Sequence, residues 1–400
     1  MDLSLIRRLS IPAETKVLLC VMDGLGGLPG PRGRTELEEA SSRHLDRLAE
    51  QGTVGQTLPV GYGITPGSGP GHLALFGYDP LAFEVGRGVL EATGIDFPLG
   101  PTDLAARGNF CTVDAAGLIT DRRAGRVATE ITAEICAKLQ AGITLPGVEL
   151  FVRPVKDHRF VLVLRGDGLH DALNETDPQR EGVAVPPVQA LDPAAQRTAE
   201  LAQRFVEQAR VLLSDRDTAN HLTLRGWAMR PDLPQFTELW KLRAAAVAVY
   251  PMYRGLARLV GMDILDAGDT LATQIEALRS HWDEYDFFFL HYKYTDAAGE
   301  DGDFARKQQA IQDFDASVPA LVALGANVLI VTGDHSTPAT MAAHSWHPVP
   351  FVLSGENVRT DEAHRFNETE CARGGLGTFP AKEALPIAFA HAGRLTKFGA

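Results

Sequence analysis

The chain has 400 residues, 45% of them hydrophobic and 22% charged, with a formal net charge of -13. That length is too great for one small core, so two domains, or one large domain carrying an insertion, are expected of this globular composition. The acidic balance argues against non-specific nucleic-acid binding, which needs basic patches, but leaves room for an anionic substrate held by local arginines. Cys20, Cys111, Cys136 and Cys371 show no zinc spacing and read as reduced thiols. The opening residues lack the apolar core of a signal peptide, and no run approaches the ~20 apolar residues of a membrane span. A cytoplasmic protein that engages neither membrane nor nucleic acid is expected.

Val17–Met22 is a short apolar run of the kind that forms a strand buried on both faces, and it ends at Asp23. Helical spacing follows over Glu36–Glu50, closed by Gly52. Between Gly61 and Gly71 five glycines and two prolines surround Ser68, the one side chain in this stretch suited to nucleophilic attack. Glycine admits close approach of an anion and proline stiffens the path, although such clusters also mark ordinary turns.

From about residue 101 to 235 the pattern changes to α+β, which predicts an inserted domain between a first part (1–100) and a second part (236–400) of an α/β domain. Strands are predicted over 104–113, 118–119, 149–152 and 160–164, with helices near 129–139 and 193–213. The α/β rhythm returns with strands over 244–250, 286–291, 327–332 and 351–353. A helix is predicted to open at Tyr253-Arg254-Gly255, and another to run from Phe304 to about Leu324.

Three apolar strands end in carboxylates: Asp23, Asp296 and Asp334. In a parallel sheet they converge on one edge, where open α/β sheets place their ligands. His335 adjoins Asp334, His344 lies nine residues further, and Glu300 stands one helical turn past Asp296. A lone Asp after a strand is more often a turn or helix-cap residue, and ordinary hydrogen bonds could satisfy His344 or His347. Together, these oxygen and imidazole groups suit Mn²⁺, Mg²⁺ or Zn²⁺, in numbers sufficient for two ions. Two ions roughly 3.5–4 Å apart clamp the attacking and leaving oxygens of a displacement at phosphorus, and Ser68 is the candidate nucleophile.

The stretches Asp23-Gly-Leu-Gly-Gly, Thr65-Pro-Gly-Ser-Gly-Pro-Gly-His, Asp121-Arg-Arg-Ala-Gly-Arg126, Thr295-Asp-Ala-Ala-Gly and Thr332-Gly-Asp-His-Ser-Thr-Pro338 resemble the cofactor-independent (2,3-bisphosphoglycerate-independent) phosphoglycerate mutases. The likeness is to their archaeal-type branch, within the alkaline phosphatase superfamily, and covers nearly the whole chain. It implies an alkaline-phosphatase-like core with a mostly parallel sheet, interrupted by a smaller α+β substrate-handling domain. It implies interconversion of 2- and 3-phosphoglycerate through a phosphoserine on Ser68, with no bisphosphoglycerate primer. One metal would be held by Asp23, Ser68, Asp334 and His335, the other by Asp296, the residue four further on, and His344, which matches the family position better than His347. That residue four on is commonly histidine in the wider family and is Glu300 here, a hard ligand favouring Mn²⁺ or Mg²⁺ over Zn²⁺; Asp301 or Asp303 could substitute for it. Phosphoglycerate carries two anionic groups, so bidentate arginines should bind it. Arg122, Arg123 and Arg126 match the family stretch, with Arg107, His158, Arg159, Arg254 and Lys293 as further choices. A phosphomonoesterase or a homoserine-kinase-like phosphotransferase would use the same site with water or another alcohol as acceptor. Hinges are expected near Gly100 and around 230–234.

Overall fold

The computed structural model describes residues 2–399. The chain makes two compact units, one from Val85–Asp232 and the other from the residues before and after it. In chain order the strands are β1 (Val17–Met22), β2 (Gly52–Leu58), β3 (Asp103–Val113), β4 (Ile119–Asp121), β5 (Glu149–Lys156), β6 (Arg159–Arg165), β7 (His221–Met229), β8 (Ala244–Val247), β9 (Asp263–Ile264), β10 (Phe287–Tyr292), β11 (Val328–Thr332), β12 (Val349–Gly355) and β13 (Gly377–Pro380).

The larger unit holds an eight-stranded sheet in the order β13-β2-β12-β11-β1-β10-β8-β9. Only β12 runs against its neighbours, and all other pairs are parallel. The central strands are continuous apolar runs because both faces are covered. On one face Leu18, Cys20, Phe288 and Leu290 pack against Leu45, Ile311 and Phe314 from helices. On the other, Phe289 meets Phe76 edge to face at 5.0 Å, and Phe287 lies 4.9 Å from Phe236. Burying each such ring stabilises by about 1.5–3 kcal/mol, which fixes the β11-β1-β10 centre of the sheet.

The smaller unit is an antiparallel sheet of five strands. Long β3 pairs with β6 on one side and β7 on the other, β5 extends the sheet beyond β6, and β4 joins the end of β3. Its core forms where Leu104, Ala106 and Phe110 of β3 meet Ile135 and Leu139 of helix Thr129–Gly142, together with Ala202 and Phe205 of helix Gln196–Leu212.

The fold class is the expected one, and the differences are local. The smaller unit takes in residues 85–100, because helix Arg87–Gly94 packs on β3 and β7; the chain therefore crosses between units at 84–85 and 232–233. The helix expected over 36–50 is two, Glu36–Glu39 and Arg43–Glu50, divided where Asp315 Oδ1 accepts from the backbone of His44 and Leu45. The helix expected over 304–324 stops at Asp315 and restarts at Val318, since Pro319 has no N–H to continue it. The helix bearing Tyr253 starts at Pro251, not at its glycine. Strands β2, β7, β9 and β13 carried no sequence expectation; β7 alternates polar and apolar residues but follows an unpatterned stretch.

Candidate active site

Because β11, β1 and β10 are adjacent and parallel, the residues that follow them lie side by side. Asp23 follows β1, Asp334 follows β11, and Lys293 and Asp296 follow β10. Beside β10, β8 leads into helix Pro251–Leu259 and brings Tyr253 to the same edge. Asp23, Asp296, Asp334 and His335 are all fully buried.

These groups form two clusters that share His335. In one, Asp23, Asp334 and His335 offer ligand atoms within 4.8 Å of one another; in the other, Asp296, His335 and His344 do. His335 Nε2 lies 3.3 Å from Asp23 Oδ1, 3.2 Å from Asp334 Oδ2 and 3.1 Å from Ser68 Oγ. Asp23 Oδ1 and Asp334 Oδ2 are buried and have no hydrogen-bond donor among the described residues. A buried carboxylate oxygen left so is costly, and a cation between them would satisfy both. The donor set, carboxylate and imidazole with no thiolate, fits divalent metal ions.

The remaining oxygens are held by the protein. Asp23 Oδ2 accepts from Tyr253 Oη, sits 3.1 Å from His291 Nε2 and 3.0 Å from Lys293 Nζ. Burial works against the Asp23 charge, but the His291 hydrogen bond and the Lys293 ammonium hold its carboxyl well below the usual range. Lys293 also contacts Asp296 Oδ2, so one ammonium spans both clusters. His72 Nδ1 bonds the Ser68 carbonyl at 2.8 Å and stands 3.1 Å from Asp334 Oδ2.

Ser68 is the first residue of helix Ser68–Leu75, where backbone N–H groups are unpaired within the helix and the dipole favours negative charge. The helix can abut the Asp334 loop only because residue 71 is glycine: a Cβ there would stand 2.3 Å from the Asp334 carbonyl oxygen. Pro66 accepts from His344 Nδ1 at 2.9 Å, which orients His344 and stacks it on His335 at 3.7 Å between ring centroids.

Glu300 lies at the rim, its side chain 54% exposed and 3.6 Å from His344 Nε2. Asp301 pairs with Arg306, and Asp303 caps helix Phe304–Asp315, so both are otherwise engaged. His347 Nδ1 faces Ser345 Oγ and joins neither cluster. Arg254 Nε is buried with no hydrogen-bond partner among the described residues.

Within the smaller unit, strand register gathers a second set of residues. Arg107 on β3 stands opposite Arg225 on β7, and Asn109, two residues on, stands opposite Arg159 on β6, so all four share one face. Glu91 of helix Arg87–Gly94 reaches Arg107 at 3.4 Å. Burial first, then the neighbouring charges of Arg87, Arg159 and Arg225, lowers the Arg107 guanidinium to about 10, although Glu91 opposes this. His158 is buried, and desolvation with the charges of Arg159 and Arg107 brings it down to about 4. In the Asp121–Arg126 stretch, Asp121 accepts from the backbone of Arg123 and Gly125, and residues 124–126 all take positive φ. That turn exposes Arg123 and Arg126, whereas Arg122 is bonded at 3.0 Å to both oxygens of Asp177.

Sequence reasoning missed Tyr253, His291, His72 and Thr337 in the larger unit, and Arg87 and Arg225 in the smaller. Two had a visible signal: His291 is the lone polar residue in Phe-Phe-Phe-Leu-His-Tyr, and His72 stands one helical turn past Ser68. Arg225 belongs with Arg107 only through strand pairing.

The fold and site define an α/β protein whose mostly parallel sheet gathers carboxylate, imidazole and serine groups at its carboxyl edge and is interrupted in sequence by an α+β unit. Comparison with known proteins gives the family. The family model described as 2,3-bisphosphoglycerate-independent phosphoglycerate mutase matches residues 49–219. A probable 2,3-bisphosphoglycerate-independent phosphoglycerate mutase of Thermus thermophilus is 48% identical over 406 residues, covering 100% of both chains. One of Thermosipho africanus is 47% identical over 396 residues, covering 99% of this chain and 98% of its own. The solved cofactor-independent phosphoglycerate mutase of Thermoplasma acidophilum superposes with a TM-score of 0.71 at 31% identity, over 94% of this chain and 100% of its own. The chain belongs to the 2,3-bisphosphoglycerate-independent phosphoglycerate mutase family.

Proposed function

We propose that this protein interconverts 2-phosphoglycerate and 3-phosphoglycerate in glycolysis and gluconeogenesis, in the cytoplasm, through a phosphoserine on Ser68. The observation that carries this reading is the Ser68 hydroxyl at a helix N-terminus, 3.1 Å from the imidazole nitrogen that faces two donor-free carboxylate oxygens. Asp23, Ser68, Asp334 and His335 would hold one divalent ion, and Asp296, His344 and Glu300, with His335 alongside, the other. Mn²⁺ or Mg²⁺ suits this set better than Zn²⁺, because carboxylate oxygens dominate it. When bound, the ions lower the pKa of a hydroxyl and neutralise charge on the phosphoryl oxygens.

The protein's own groups account for the rest. Ser68 Oγ attacks phosphorus in line with the departing glycerate oxygen. Ser68 Oγ gives up its proton as the Oγ–P bond forms and the P–O bond to glycerate breaks, and the departing oxygen gains a proton, so none is consumed overall. Presenting the other glycerate hydroxyl reverses these steps, with that hydroxyl losing its proton and Ser68 regaining one. The helix N-terminus favours the anionic phosphoryl group on Ser68. In the larger unit Lys293 and Arg254 would be cationic donors, and within the smaller unit Arg107, Arg123, Arg126, Arg159 and His158 would be the anion-binding groups. Arg122, bonded to Asp177, serves by shaping the turn beside them.

The test is to incubate the enzyme with 3-phosphoglycerate and Mn²⁺, following 2-phosphoglycerate against free phosphate. Isomerisation without added bisphosphoglycerate is expected. Phosphate release without isomerisation would make the protein a phosphomonoesterase, and transfer only to an added alcohol would make it a phosphotransferase.

A further inference from the structure

The two ligand clusters meet at one hydroxyl. Thr337 is fully buried, and its Oγ1 lies 2.6 Å from Asp296 Oδ1 and 3.0 Å from His335 Nδ1. A threonine hydroxyl has a single proton, and an ionised carboxylate only accepts. The Thr337 proton therefore goes to Asp296, and His335 can bond the same oxygen only if its Nδ1 carries hydrogen. Nε2 is then the nitrogen with a free lone pair, and Nε2 is the atom that faces Asp23, Asp334 and Ser68.

The backbone closes on this residue from several sides. The Thr337 N–H points to the carbonyls of Gly24 and Gly26 at 3.3 and 3.1 Å, within the loop that carries Asp23. Buried Lys307 donates to the Thr337 carbonyl at 2.8 Å and to the Gly26 carbonyl at 2.9 Å. Gly24 has a φ of +65°, and a Cβ there would fall 2.6 Å from Thr337 Oγ1 and 2.7 Å from Asp296 Oδ1. No side chain fits between the Asp23 loop and this hydroxyl.

We propose that Thr337 is a positioning residue that joins the two clusters, holding His335 in the tautomer that presents Nε2 and fixing the aim of Asp296. The proposal rests on the two-ion reading above. Because His335 belongs to both clusters and Asp296 to one, loss of the hydroxyl weakens both ions. Outer partners of this kind are worth about 10–100-fold in metal affinity.

The experiment compares wild type with Thr337→Val, which keeps the shape and removes the hydroxyl, and Thr337→Ser, which keeps the hydroxyl. Free Mn²⁺ is titrated by electron paramagnetic resonance. The imidazole tautomers of the metal-free proteins are read from long-range ¹H–¹⁵N correlation spectra, with His335 assigned by difference against His335→Asn. Wild type should bind two Mn²⁺ and show His335 protonated on Nδ1. Thr337→Val should lose about 10–100-fold in Mn²⁺ affinity and show His335 with Nε2–H populated, while Thr337→Ser keeps both wild-type properties. An unchanged tautomer and affinity in Thr337→Val overturns the proposal, as does Nε2–H in metal-free wild type, whether or not any variant folds. Wild type that binds no Mn²⁺ instead sinks the two-ion reading, and the tautomer comparison still decides the role of Thr337.

Discussion

The edge of the parallel sheet and the cationic face of the antiparallel sheet hold opposite charges in opposite ways. In the larger unit, three carboxylates are fully buried within one neighbourhood, answered by Lys293, by neutral donors and by imidazoles. In the smaller unit, Arg107 and Arg225 face each other across paired strands, and Glu91, Asp177 and Glu175 answer only part of the positive charge. Like charges opposite one another on a strand pair destabilise by roughly 0.2–1 kcal/mol, and buried unpartnered carboxylate oxygens cost more. Neither arrangement is what folding alone favours. In the proposed reading the first would hold cations and the second would receive an anion.

The sharpest way to separate the two is to remove chemistry from one and not the other. Ser68→Ala should lower isomerisation by at least about 10⁴-fold, the scale on which loss of a nucleophile acts. It should also abolish the phosphoserine detected after a quench with labelled substrate; persistent labelling would place the nucleophile elsewhere. Chelation of divalent ions should abolish turnover in the same assay, with recovery on Mn²⁺ or Mg²⁺. Full activity after exhaustive chelation would contradict the two-ion reading.

Changes in the smaller unit should act on substrate alone. Arg107→Leu removes a charged partner, and a charge-assisted hydrogen bond contributes about 1.5–3 kcal/mol, so KM should rise about 10–100-fold. Arg123→Ala should impair isomerisation in the same manner. Mn²⁺ affinity should stay at the wild-type value in both, and its loss would assign these arginines a structural role.

Acidification should pull the two units in opposite directions. Glu368, beside Gly27 and Thr35 in the larger unit, has its carboxyl pushed up by burial from 4.5 to about 7. A raised folded value favours the protonated form, so its contribution is complete below pH 4.5 and is lost as pH rises towards 7. His158 is depressed from 6.5 to about 4, so its contribution is complete above pH 6.5 and is lost as pH falls towards 4. Each spans about 3 kcal/mol at most. Thermal melts across pH 4–8 should show Glu368→Gln gaining relative to wild type as pH rises, and His158→Gln gaining as pH falls. Parallel curves for either variant would mean that its group titrates alike in folded and unfolded chains.

Much of the larger site was legible because it is built from strand ends. Apolar runs that stop at Asp23 and Asp334 announce buried parallel strands and put those residues on one edge, and Gly-Asp-His with Gly-Ser-Gly names the chemistry. Sequence alone thus determined the α/β class and the family, and it pointed to Asp23, Asp296, Asp334, His335 and His344, which the fold brings into two close groups, all through short local patterns. Only the tertiary structure decided the strand order that sets Tyr253 and His291 on Asp23, and the register that sets Arg225 against Arg107. It alone placed Thr337 and Lys307 behind the clusters, and Lys307 shows why. That lysine lies on a helix whose sequence looks solvated, yet it is buried against the carbonyls of residues 26 and 337. Contacts of such long sequence separation depend on how elements pack, and no local pattern encodes them.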